Sequence, residues 1–384
     1  MPSSPSRSST VLLLGTTQTL AWASSYYLPA VLADPVSREL GITSTAFFAA
    51  FSASLLASAM IGPKVGRTID NLGGRQVLLL SNGFIAAGLV TMALAHHPIV
   101  LWLAWLFLGI GMGLGLYDAA FATLGRIYGA EARSSITAIT LMAGFASTIG
   151  WPLSGWGIAT IGWRETCLAW AAAHVVIGLP LNCCLPGAAH AAAPPAETSD
   201  PSVRWDRPML LIAFAMASAW MVTAAMAAHL PRLLQTIGAT GTEAIAASVL
   251  IGPAQVIARI VEAGILRRYH PLLSARLATL AHPVAATFLA LLGPIAAAPF
   301  AVLHGAGNGI LTIARGTVPL AMFGPRNYGY RLGLIGAPAR MSQAAAPLLF
   351  GILIDSIGAW TLCASAALSL GSLIALMLLP ERKA

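Results

Sequence analysis

The sequence predicts an all-α integral membrane protein, with twelve transmembrane helices in two pseudo-symmetric six-helix bundles. Three observations predict this fold class: a very apolar composition, twelve apolar runs of membrane-spanning length, and an internal repeat. Of 384 residues, 57% are hydrophobic and only 9% are charged, and the mean hydropathy is +0.79. An average soluble protein carries roughly 25% charged residues. The composition therefore excludes a soluble enzyme, a disordered chain and a secreted disulfide scaffold.

Each apolar run is about 20 residues long, enough to cross a hydrocarbon core of roughly 30 Å as a helix. We predict spans 1 to 12 approximately at 10–31, 43–62, 76–95, 98–124, 135–160, 165–185, 208–230, 243–266, 272–292, 295–321, 332–354 and 359–379. The first run follows a short polar start with one arginine and could be a signal peptide. Because eleven further runs follow it, we interpret it as an uncleaved helix.

The longest polar connection, 186–207, is rich in proline and other helix-breaking residues and divides the chain almost at its midpoint. We therefore predict an N-terminal bundle at 1–185, a linker at 186–207 and a C-terminal bundle at 208–384. Glycines that recur at one constant sequence offset support a duplication. The pairs are Gly109 and Gly305, Gly111 and Gly307, Gly113 and Gly309, Gly155 and Gly351, and Gly162 and Gly358.

The net charge of +8 and the pI near 9.8 could indicate a nucleic-acid partner, so the position of the basic residues matters. With a cytoplasmic N-terminus, fifteen Lys and Arg fall in inner loops and tails, and only Arg38, Arg164 and Arg232 fall outside. This asymmetry is the orientation signal of a multi-pass protein. We predict a bacterial-type inner (plasma) membrane location with both termini cytoplasmic, the lipid bilayer as surroundings, and no nucleic-acid partner.

The four cysteines, Cys167, Cys183, Cys184 and Cys363, lie in apolar runs and show no metal-ligand spacing. We therefore predict no metal site and no cofactor. A thiol site for a metalloid would require cysteines distant in sequence to converge.

The loop between spans 2 and 3 reads Gly66-Arg67-Thr68-Ile69-Asp70-Asn71-Leu72-Gly73-Gly74-Arg75. It resembles the signature loop of the major facilitator superfamily, Gly-x-x-x-Asp-(Arg/Lys)-x-Gly-(Arg/Lys)-(Arg/Lys). Gly66, Asp70, Gly73 and Arg75 match, and non-basic residues occupy two basic positions. Because the loop has the expected place in a twelve-span chain of two halves, the resemblance covers essentially the whole length.

The resemblance implies a transporter whose two bundles rock about a central site that faces each side of the membrane in turn. It also implies that Asp70 braces the start of span 11, where a helix N-terminus offers partial positive charge. We expect Arg75 to be the local partner of Asp70. The alternative is that Asp70 merely ends span 2 in a solvated turn.

Two further family patterns are kept only in part. In span 5, Pro152 and Gly155 match the Gly-Pro-x-x-Gly-Gly pattern of antiporters, while Trp151 and Trp156 occupy flanking glycine positions. This resemblance favours efflux. In span 4, Trp105 stands where proton-coupled members often carry an arginine, so the usual proton relay is absent.

Five ionisable residues lie inside predicted spans, where a charge is costly unless it is paired or hydrated. They are Asp118, Arg259, Glu262, Arg315 and Arg340. We predict that they belong to a cytoplasmic gate, the set of residues that closes the inner side of the transporter. Arg259 and Glu262 share a helix face and could simply pair, or Glu262 could carry protons. Asp118 aligns beside Arg315 at the repeat offset, and an ion pair between them could close the inner side.

Proton antiport needs a group that alternates in protonation. The candidates are Asp118, Glu262 and His304, which precedes the span 10 glycines. The alternative for His304 is an ordinary hydrogen-bonded histidine on an apolar helix.

The resemblance implies that spans 1, 4, 7 and 10 line the central cavity. The candidate substrate-binding residues on these spans are Gln18, Trp22, Tyr26, Tyr117, Trp220, His304 and Asn308. The first three follow one another at i+4 steps on one helix face, and Tyr27 is expected to point elsewhere. Aromatic rings with a few polar groups suit an amphipathic or lipophilic organic ligand. Interfacial anchoring or helix packing is the alternative.

We therefore predict a monomeric transporter that exports a small organic solute, with protons as the coupling ion. Alternatives are uptake of a small metabolite, export of a small inorganic or metalloid species, and a membrane receptor or sensor that has lost transport. The short termini and central loop argue against a receptor. The sequence shows no nucleophile, base and orienting group in an enzyme arrangement.

Overall fold

The protein is described by a computed structural model that covers residues 6–187 and 203–381. These residues form helices and connecting turns, and none of them lies in a β-strand. Most of the predicted linker, residues 188–202, falls outside the described part. Backbone contacts divide the described chain into two compact units. The first unit lies within Met1–Pro201 and Pro325–Ala337, and the second within Ser202–Gly324 and Pro338–Ala384.

The helices of the first unit begin with a span that ends in a π-helical turn. They are α1 (Arg7–Ala21), the π-helical turn Trp22–Tyr26, α2 (Pro29–Leu40), α3 (Ser44–Leu72), α4 (Gly74–Ala93), α5 (Pro98–Gly115), α6 (Tyr117–Tyr128), α7 (Ala132–Ala143), α8 (Ala146–Ile161), α9 (Trp163–Ala173), the π-helical turn His174–Gly178 and α10 (Leu179–Cys183).

The remaining helices follow the predicted linker and form the second unit together with the last helix pair of the chain. They are α11 (Arg207–Thr236), α12 (Gly241–Val249), α13 (Ile251–Gly264), α14 (Pro271–Leu292), α15 (Ala297–Phe323), α16 (Tyr328–Ile357) and α17 (Thr361–Met377). The chain passes between the units inside α16, whose residues up to Ala337 group with the first unit.

Eight helical stretches of the described chain are long and apolar enough to cross a membrane. Three of them, Pro98–Ile161, Pro271–Phe323 and Tyr328–Met377, each correspond to two predicted spans, and the other five correspond to one span each. The eight stretches thus account for all predicted spans except the first, which forms α1 and its π-helical turn. The predicted fold class, twelve transmembrane helices in two pseudo-symmetric six-helix bundles, is confirmed.

The repeated glycines allow the same close helix packing in both units. In the first unit, α5 packs against α3 and α4, and in the second unit α15 packs against α13 and α14. A Cβ on Gly109 of α5 would lie 2.5 Å from the Ser54 carbonyl oxygen of α3. A Cβ on its repeat partner, Gly305 of α15, would lie 2.7 Å from the Ile251 carbonyl oxygen of α13, and a Cβ on Gly307 would lie 2.5 Å from the Ala278 carbonyl oxygen of α14. The glycine repeat is therefore a repeat of backbone-to-backbone approach, as in other membrane helix pairs.

The two units differ where span 4 is broken and span 10 is continuous. Span 4 stops at Gly115 and restarts at Tyr117, because Leu116 between them has an extended backbone, with ψ of −170°. Position 115 corresponds to Leu311 in the repeat, and α15 runs through it without interruption. The broken helix frees backbone groups that need partners inside a membrane. The residues around the break in span 4 are therefore considered first as part of the candidate site.

Candidate functional site

An aromatic cluster surrounds Trp22 in the first unit. The Trp22 ring centroid lies 5.1 Å from that of Tyr26 and 4.7 Å from that of Tyr117. Tyr117 stacks on Phe121 at 5.2 Å, and Tyr26 meets Phe51 edge-on at 5.7 Å. Trp22 therefore contacts two further predicted substrate residues, one on span 1 and one on span 4. Such a set of rings offers a broad apolar surface to an organic ligand.

The expectation that Tyr27 points away from this cluster is wrong. Its ring centroid lies 5.8 Å from that of Trp22 and 5.5 Å from that of Tyr26. The cause is the π-helical turn at Trp22–Tyr26, which holds more residues per turn than an α-helix and shifts the following side chains. Helical spacing of 3.6 residues does not apply across it.

Gln18 holds the broken end of span 4. Its amide nitrogen donates to the Gly115 carbonyl oxygen at 2.6 Å, and the residue is only 1% exposed. The freed carbonyl of the helix end is thus satisfied by a side chain. The Gln18 Oε1 atom and the Trp22 Nε1 atom are both buried without a hydrogen-bond partner among the described residues. A hydrogen-bond acceptor, Gln18 Oε1, and a donor, Trp22 Nε1, therefore belong to residues one helical turn apart, and neither is used by a described residue.

Asp118 lies in the first turn of α6, directly after the break. It is 6% exposed, and the partial positive charge of a helix N-terminus stabilises a carboxylate there. The predicted span 4, 98–124, contains Asp118, and the extended backbone of Leu116 divides this span just before it. Asp118 and the aromatic residue Tyr117 both belong to a half-helix start, a common feature of solute sites in transporters.

Asp70 binds the N-terminus of α16 within the first unit. Its two carboxylate oxygens accept hydrogen bonds from the backbone N–H groups of Gly329 at 2.8 Å and Tyr330 at 2.7 Å. The guanidinium of Arg67 stacks over the Tyr330 ring at 4.1 Å. A carboxylate that accepts two amide hydrogens at a helix start combines charge-assisted hydrogen bonds with the helix dipole.

Glycines bring α3 and the first part of α16 into backbone contact. A Cβ on Gly66 would lie 1.9 Å from the Gly329 carbonyl oxygen. One turn away, a Cβ on Gly333 would lie 2.4 Å from the Gly62 carbonyl oxygen. The pairs Gly62/Gly66 and Gly329/Gly333 are each spaced by four residues, the spacing that permits the closest helix crossings.

The expected local pairing of Asp70 with Arg75 is not formed among the described residues. Asp70 faces α16, and the positive side chain within electrostatic reach of its carboxylate is Arg126. Arg75 is exposed and extends beside Gly187. Gly73, between α3 and α4, has a φ of 81°. The chain changes direction there, so that the Asp70 and Arg75 side chains lie on different helices. Glycine adopts this left-handed conformation without strain.

In the second unit, His304 lies in a small polar pocket. The pocket is lined by Ala219, Val222, Thr223, Ala278, Thr279, His282, His304, Gly307, Asn308, Leu311 and Ser369. Its cavity volume of about 20 Å³ has room for about one water molecule. Nδ1 of His304 lies 3.0 Å from Nδ1 of His282, and Thr223 donates to Asn308 Oδ1 at 3.1 Å. The predicted residues His304 and Asn308 therefore share one pocket.

The remaining charged candidates of the second unit are buried. The Arg315 guanidinium lies 5.3 Å from the Trp220 ring centroid, a cation–π geometry, and its residue is 7% exposed. Arg259 donates from Nε to the Gly309 carbonyl oxygen at 3.4 Å. Glu262 and Arg340 are 1% and 7% exposed. Burial at this level is unusual for charged side chains unless they are paired.

The partly kept family patterns have packing explanations. Trp105, at the position of the missing arginine, is 1% exposed and packs edge-on against Phe47 and Phe51. In the antiporter-like segment, a Cβ on Gly150 would lie 2.8 Å from that of Ala23, whereas a Cβ on Gly155 would meet no described atom within 4 Å. Gly150 therefore packs on the π-helical turn.

Two buried histidine clusters were not predicted from the sequence. In the first unit, His174 Nε2 lies 2.7 Å from Ser24 Oγ, and its Nδ1 lies 2.7 Å from Asn82 Oδ1. Ser24 and His174 belong to the two π-helical turns. In the second unit, the partner of His304 is His282. The hydrogen-bond partners of these histidines are distant in sequence, so no spacing pattern could predict the clusters. The sequence indicated only that histidines occur in apolar runs.

No group of three or more His, Cys, Asp and Glu side chains that could hold a metal ion exists in the part of the chain that the structure describes. Cys167 is buried, and Cys183, Cys184 and Cys363 are exposed. The thiols give no geometric support to a metalloid site.

Two bundles of apolar helices, with a broken span and buried polar clusters, define a class of protein: a multi-span membrane protein. The family model described as Major Facilitator Superfamily matches residues 14–303. The chain therefore belongs to the major facilitator superfamily, whose members are membrane transporters for small molecules and not enzymes.

Solved transporters share this fold over the whole chain. The human organic anion transporter MFSD10 (TETRAN) is 16% identical, with a TM-score of 0.73 over 97% of this chain and 100% of that one. The proton:xylose symporter XylE, solved with 6-bromo-6-deoxy-D-glucose, is 11% identical, with a TM-score of 0.78 over 98% of both chains. At these identities, the likeness shows the fold alone.

A curated relative matches over a shorter stretch. An uncharacterized 38 kDa protein in the 23S RNA operon of Thermoproteus tenax is 30% identical over 153 residues. The match spans 40% of this chain and 40% of that protein.

Proposed function

We propose that the protein exports a small amphipathic or lipophilic organic solute by alternating access, as a monomer, in exchange for protons. We place it in the plasma membrane with both termini cytoplasmic, on the basis of the fifteen-to-three distribution of basic residues. The two related bundles of the family fold supply the halves that alternate. Efflux is favoured by the antiporter-like residues Pro152 and Gly155.

One observation carries the substrate class: the aromatic cluster at Trp22 adjoins unpartnered polar atoms and the break in span 4. The rings of Tyr26 and Tyr117 supply apolar surface. Gln18 Oε1 and Trp22 Nε1 are buried in this conformation without a described partner, and we infer that they accept and donate a hydrogen bond to the solute when the site opens. A ligand with a flat or bulky apolar body and one hydroxyl or amide group fits these requirements.

A resistance and accumulation panel in a transporter-deficient host tests the proposal. The panel includes lipophilic amines and amides, organic anions, because MFSD10 transports them, and xylose, because XylE transports it. We expect lower accumulation of at least one amphipathic compound with wild type, and at least a tenfold loss of that effect with Trp22→Ala. Trp102→Ala, which removes a 46% exposed ring of α5, is the matched control.

The panel also separates the alternatives. Higher accumulation of a sugar-like compound would establish uptake, and resistance to a metalloid oxyacid would establish inorganic export. No change for any compound, with the protein present in the membrane, would favour a receptor or sensor and contradict the transport proposal.

We further propose that Asp118 and Arg315 pair to close the inner side during the cycle. Each is buried within its own unit, Asp118 at a helix N-terminus and Arg315 beside Trp220. We propose that the contact of Gly66 and Asp70 with the α16 N-terminus changes during the same closure of the inner side. Gly73, which follows α3, and Arg75, in the first turn of α4, are assigned to this conformational change as well. Arg259, Glu262 and Arg340 are assigned to the gate as well.

Charge exchange tests the Asp118–Arg315 pair. Asp118→Arg and Arg315→Asp should each abolish transport, and the double exchange should restore a measurable part of it. Failure of the double variant to recover any transport, at wild-type expression, would contradict the pairing.

A further inference from the structure

The hydrogen bonds around His304 determine where each proton of the buried histidine pair lies. Ser365 donates its single hydroxyl hydrogen to the Leu362 carbonyl oxygen at 2.8 Å. Ser365 Oγ can therefore only accept from His282 Nε2, which lies 3.0 Å away. A neutral imidazole has one donor and one acceptor nitrogen, so His282 carries its hydrogen on Nε2 and offers a lone pair at Nδ1.

The tautomer of His282 fixes that of His304. Their Nδ1 atoms lie 3.0 Å apart, so one must donate and the other accept. Because Nδ1 of His282 accepts, Nδ1 of His304 donates. The remaining nitrogen of His304, Nε2, is then an unprotonated acceptor.

Nε2 of His304 is open to the pocket. It has no hydrogen-bond partner among the described residues, and it is not one of their sealed, unpartnered polar atoms. His304 lines the pocket, which has room for about one water molecule beside Thr223, Asn308 and Ser369. A proton delivered by that water reaches a lone pair that the hydrogen-bond network leaves free.

The surroundings hold the rings in place. The Phe300 ring stacks on His304, with an interplanar angle of 9°, and meets His282 edge-on at 5.5 Å. Phe300 is fully buried. The pair can therefore gain or lose a proton without a change of ring orientation, because the Nδ1–H bond from His304 to His282 exists in both states.

The titratable group that faces His304 is His282 itself, from α14. The elements α11 and α17 present neutral side chains to the pocket, Thr223 and Ser369. On α13, Arg259 is bound to the Gly309 carbonyl oxygen.

The other charged groups on the packed elements lie elsewhere. On α15, Arg315 lies about three turns beyond His304, beside Trp220. On α13, Glu262 is buried two residue positions short of the helix end at Gly264. On α12, Glu243 belongs to an exposed capping box with Thr240.

We propose that His304 binds the coupling proton at Nε2, and that His282 and Ser365 position it by fixing the tautomers of the pair. This inference rests on the proposed proton antiport and names the protonation site within it. His304 is the proton-binding residue, while His282 and Ser365 are positioning residues. The added proton bonds to the Nε2 lone pair, and the charge is shared through the Nδ1 hydrogen bond.

Nitrogen NMR of histidine-labelled protein in lipid bilayers tests the site without any substrate. His304→Gln and His282→Gln assign the two rings. His229→Gln is the control, because His229 donates from Nε2 to the Pro347 carbonyl oxygen at 2.7 Å. We expect neutral His304 in the Nδ1–H form and neutral His282 in the Nε2–H form, with His304 gaining a second hydrogen on acidification. An Nε2–H form of neutral His304, or no proton uptake by it while the protein stays folded, would overturn the proposal.

A pair of Ser365 variants tests the positioning role. Ser365→Ala removes the acceptor of His282 Nε2–H, so the His282 tautomer should shift and His304 should lose its preference for Nδ1–H. Ser365→Thr keeps the hydroxyl and should retain the wild-type tautomers. Identical tautomers in wild type and Ser365→Ala would overturn the positioning role.

Transport in proteoliposomes separates this inference from the proposed function. With a compound that wild type moves, we expect His304→Gln to lose proton movement at least tenfold, whereas His229→Gln should keep wild-type proton movement. Coupled proton movement unchanged in His304→Gln would overturn the inference and leave antiport intact. Wild-type transport without any proton movement would overturn antiport, and with it the coupling role of His304.

Discussion

Asp70 illustrates, at the residue scale, how one carboxylate can secure a helix start inside a transporter. Its two oxygens accept the N–H groups of Gly329 and Tyr330, which have no partners within α16. The close approach of Gly66 to Gly329 makes this geometry possible. Gly66, Arg67 and Asp70 of the signature loop thus all contact one target, the first turn of α16.

Asp70→Asn should destabilise the protein. An amide has one acceptor oxygen, so one of the two backbone N–H groups loses its partner and both lose a charge-assisted bond. We expect a loss of about 1.5–3 kcal/mol in the free energy of unfolding, measured by unfolding in mixed micelles. Asp34→Asn, which removes an exposed ion pair with Arg38, should cost no more than about 0.5 kcal/mol. Equal effects of the two variants would contradict the role of Asp70.

We expect Glu39 to make the stability of the first unit depend on pH. Its carboxylate accepts hydrogen bonds from the Arg164 guanidinium and the Trp163 indole, and these lower its pKa below the usual value. Arg164 also donates to the Ala93 and Ala95 carbonyl oxygens at the end of α4. A carboxylate with a lowered pKa stabilises the fold above its unfolded-state pKa and loses that effect as the pH falls through its folded-state pKa.

We therefore expect Glu39→Gln to lower the thermal unfolding temperature at neutral pH. The difference from wild type should shrink as the pH falls below the usual range of a glutamate. Unfolding scans of both proteins over a series of pH values measure this. Because Glu39 is half-exposed, the effect should be modest. A difference that is constant down to pH 3 would rule out the ionised carboxylate as its source.

At the element scale, the glycine triplets of spans 4 and 10 set how closely helices pack. Gly109 approaches the α3 backbone and Gly307 the α14 backbone, at distances where no Cβ fits. Backbone atoms cannot move aside as flexible side chains do. Gly109 and its repeat partner Gly305, whose Cβ would lie 2.7 Å from the Ile251 carbonyl oxygen of α13, therefore have the same physical function in both units.

Gly109→Ala and Gly307→Ala should each cost about 1–3 kcal/mol of unfolding free energy, as overpacked cores do. Gly83→Ala is the matched control, because a Cβ at this exposed α4 position meets no described atom within 4 Å. It should be neutral or stabilise by up to about 1 kcal/mol, since alanine favours helix over glycine. Unfolding in mixed micelles distinguishes them. If Gly83→Ala were destabilised and Gly109→Ala were unaffected, the packing role of Gly109 would be contradicted.

The elements also show what sequence spacing could not predict. A π-helical turn brings Tyr27 beside Trp22, and an extended Leu116 breaks span 4 before Asp118. Neither feature follows from helical periodicity, because both are departures from it. Gln18 satisfies the break at Gly115, yet its position on span 1 gives no sign of that partner.

At the scale of the whole molecule, the fold could be predicted because a bilayer allows few architectures. The apolar runs derive from that constraint, because each must be long enough to cross the bilayer as a helix. The binding of Asp70 at α16 agrees with what the family resemblance implied. The His282–His304 pair joins α14 to α15 through side chains alone, and such tertiary contacts leave no pattern in one sequence.

The proposed function depends on the exchange of solute export for protons. The most direct measurement uses proteoliposomes with a pH-sensitive dye inside, an imposed pH gradient, and a compound identified by the panel. We predict that adding the compound moves protons in the opposite direction to the solute, and that Trp22→Ala abolishes both movements while Trp102→Ala keeps both. Solute movement with no change in internal pH, or proton movement in the same direction as the solute, would contradict the claim.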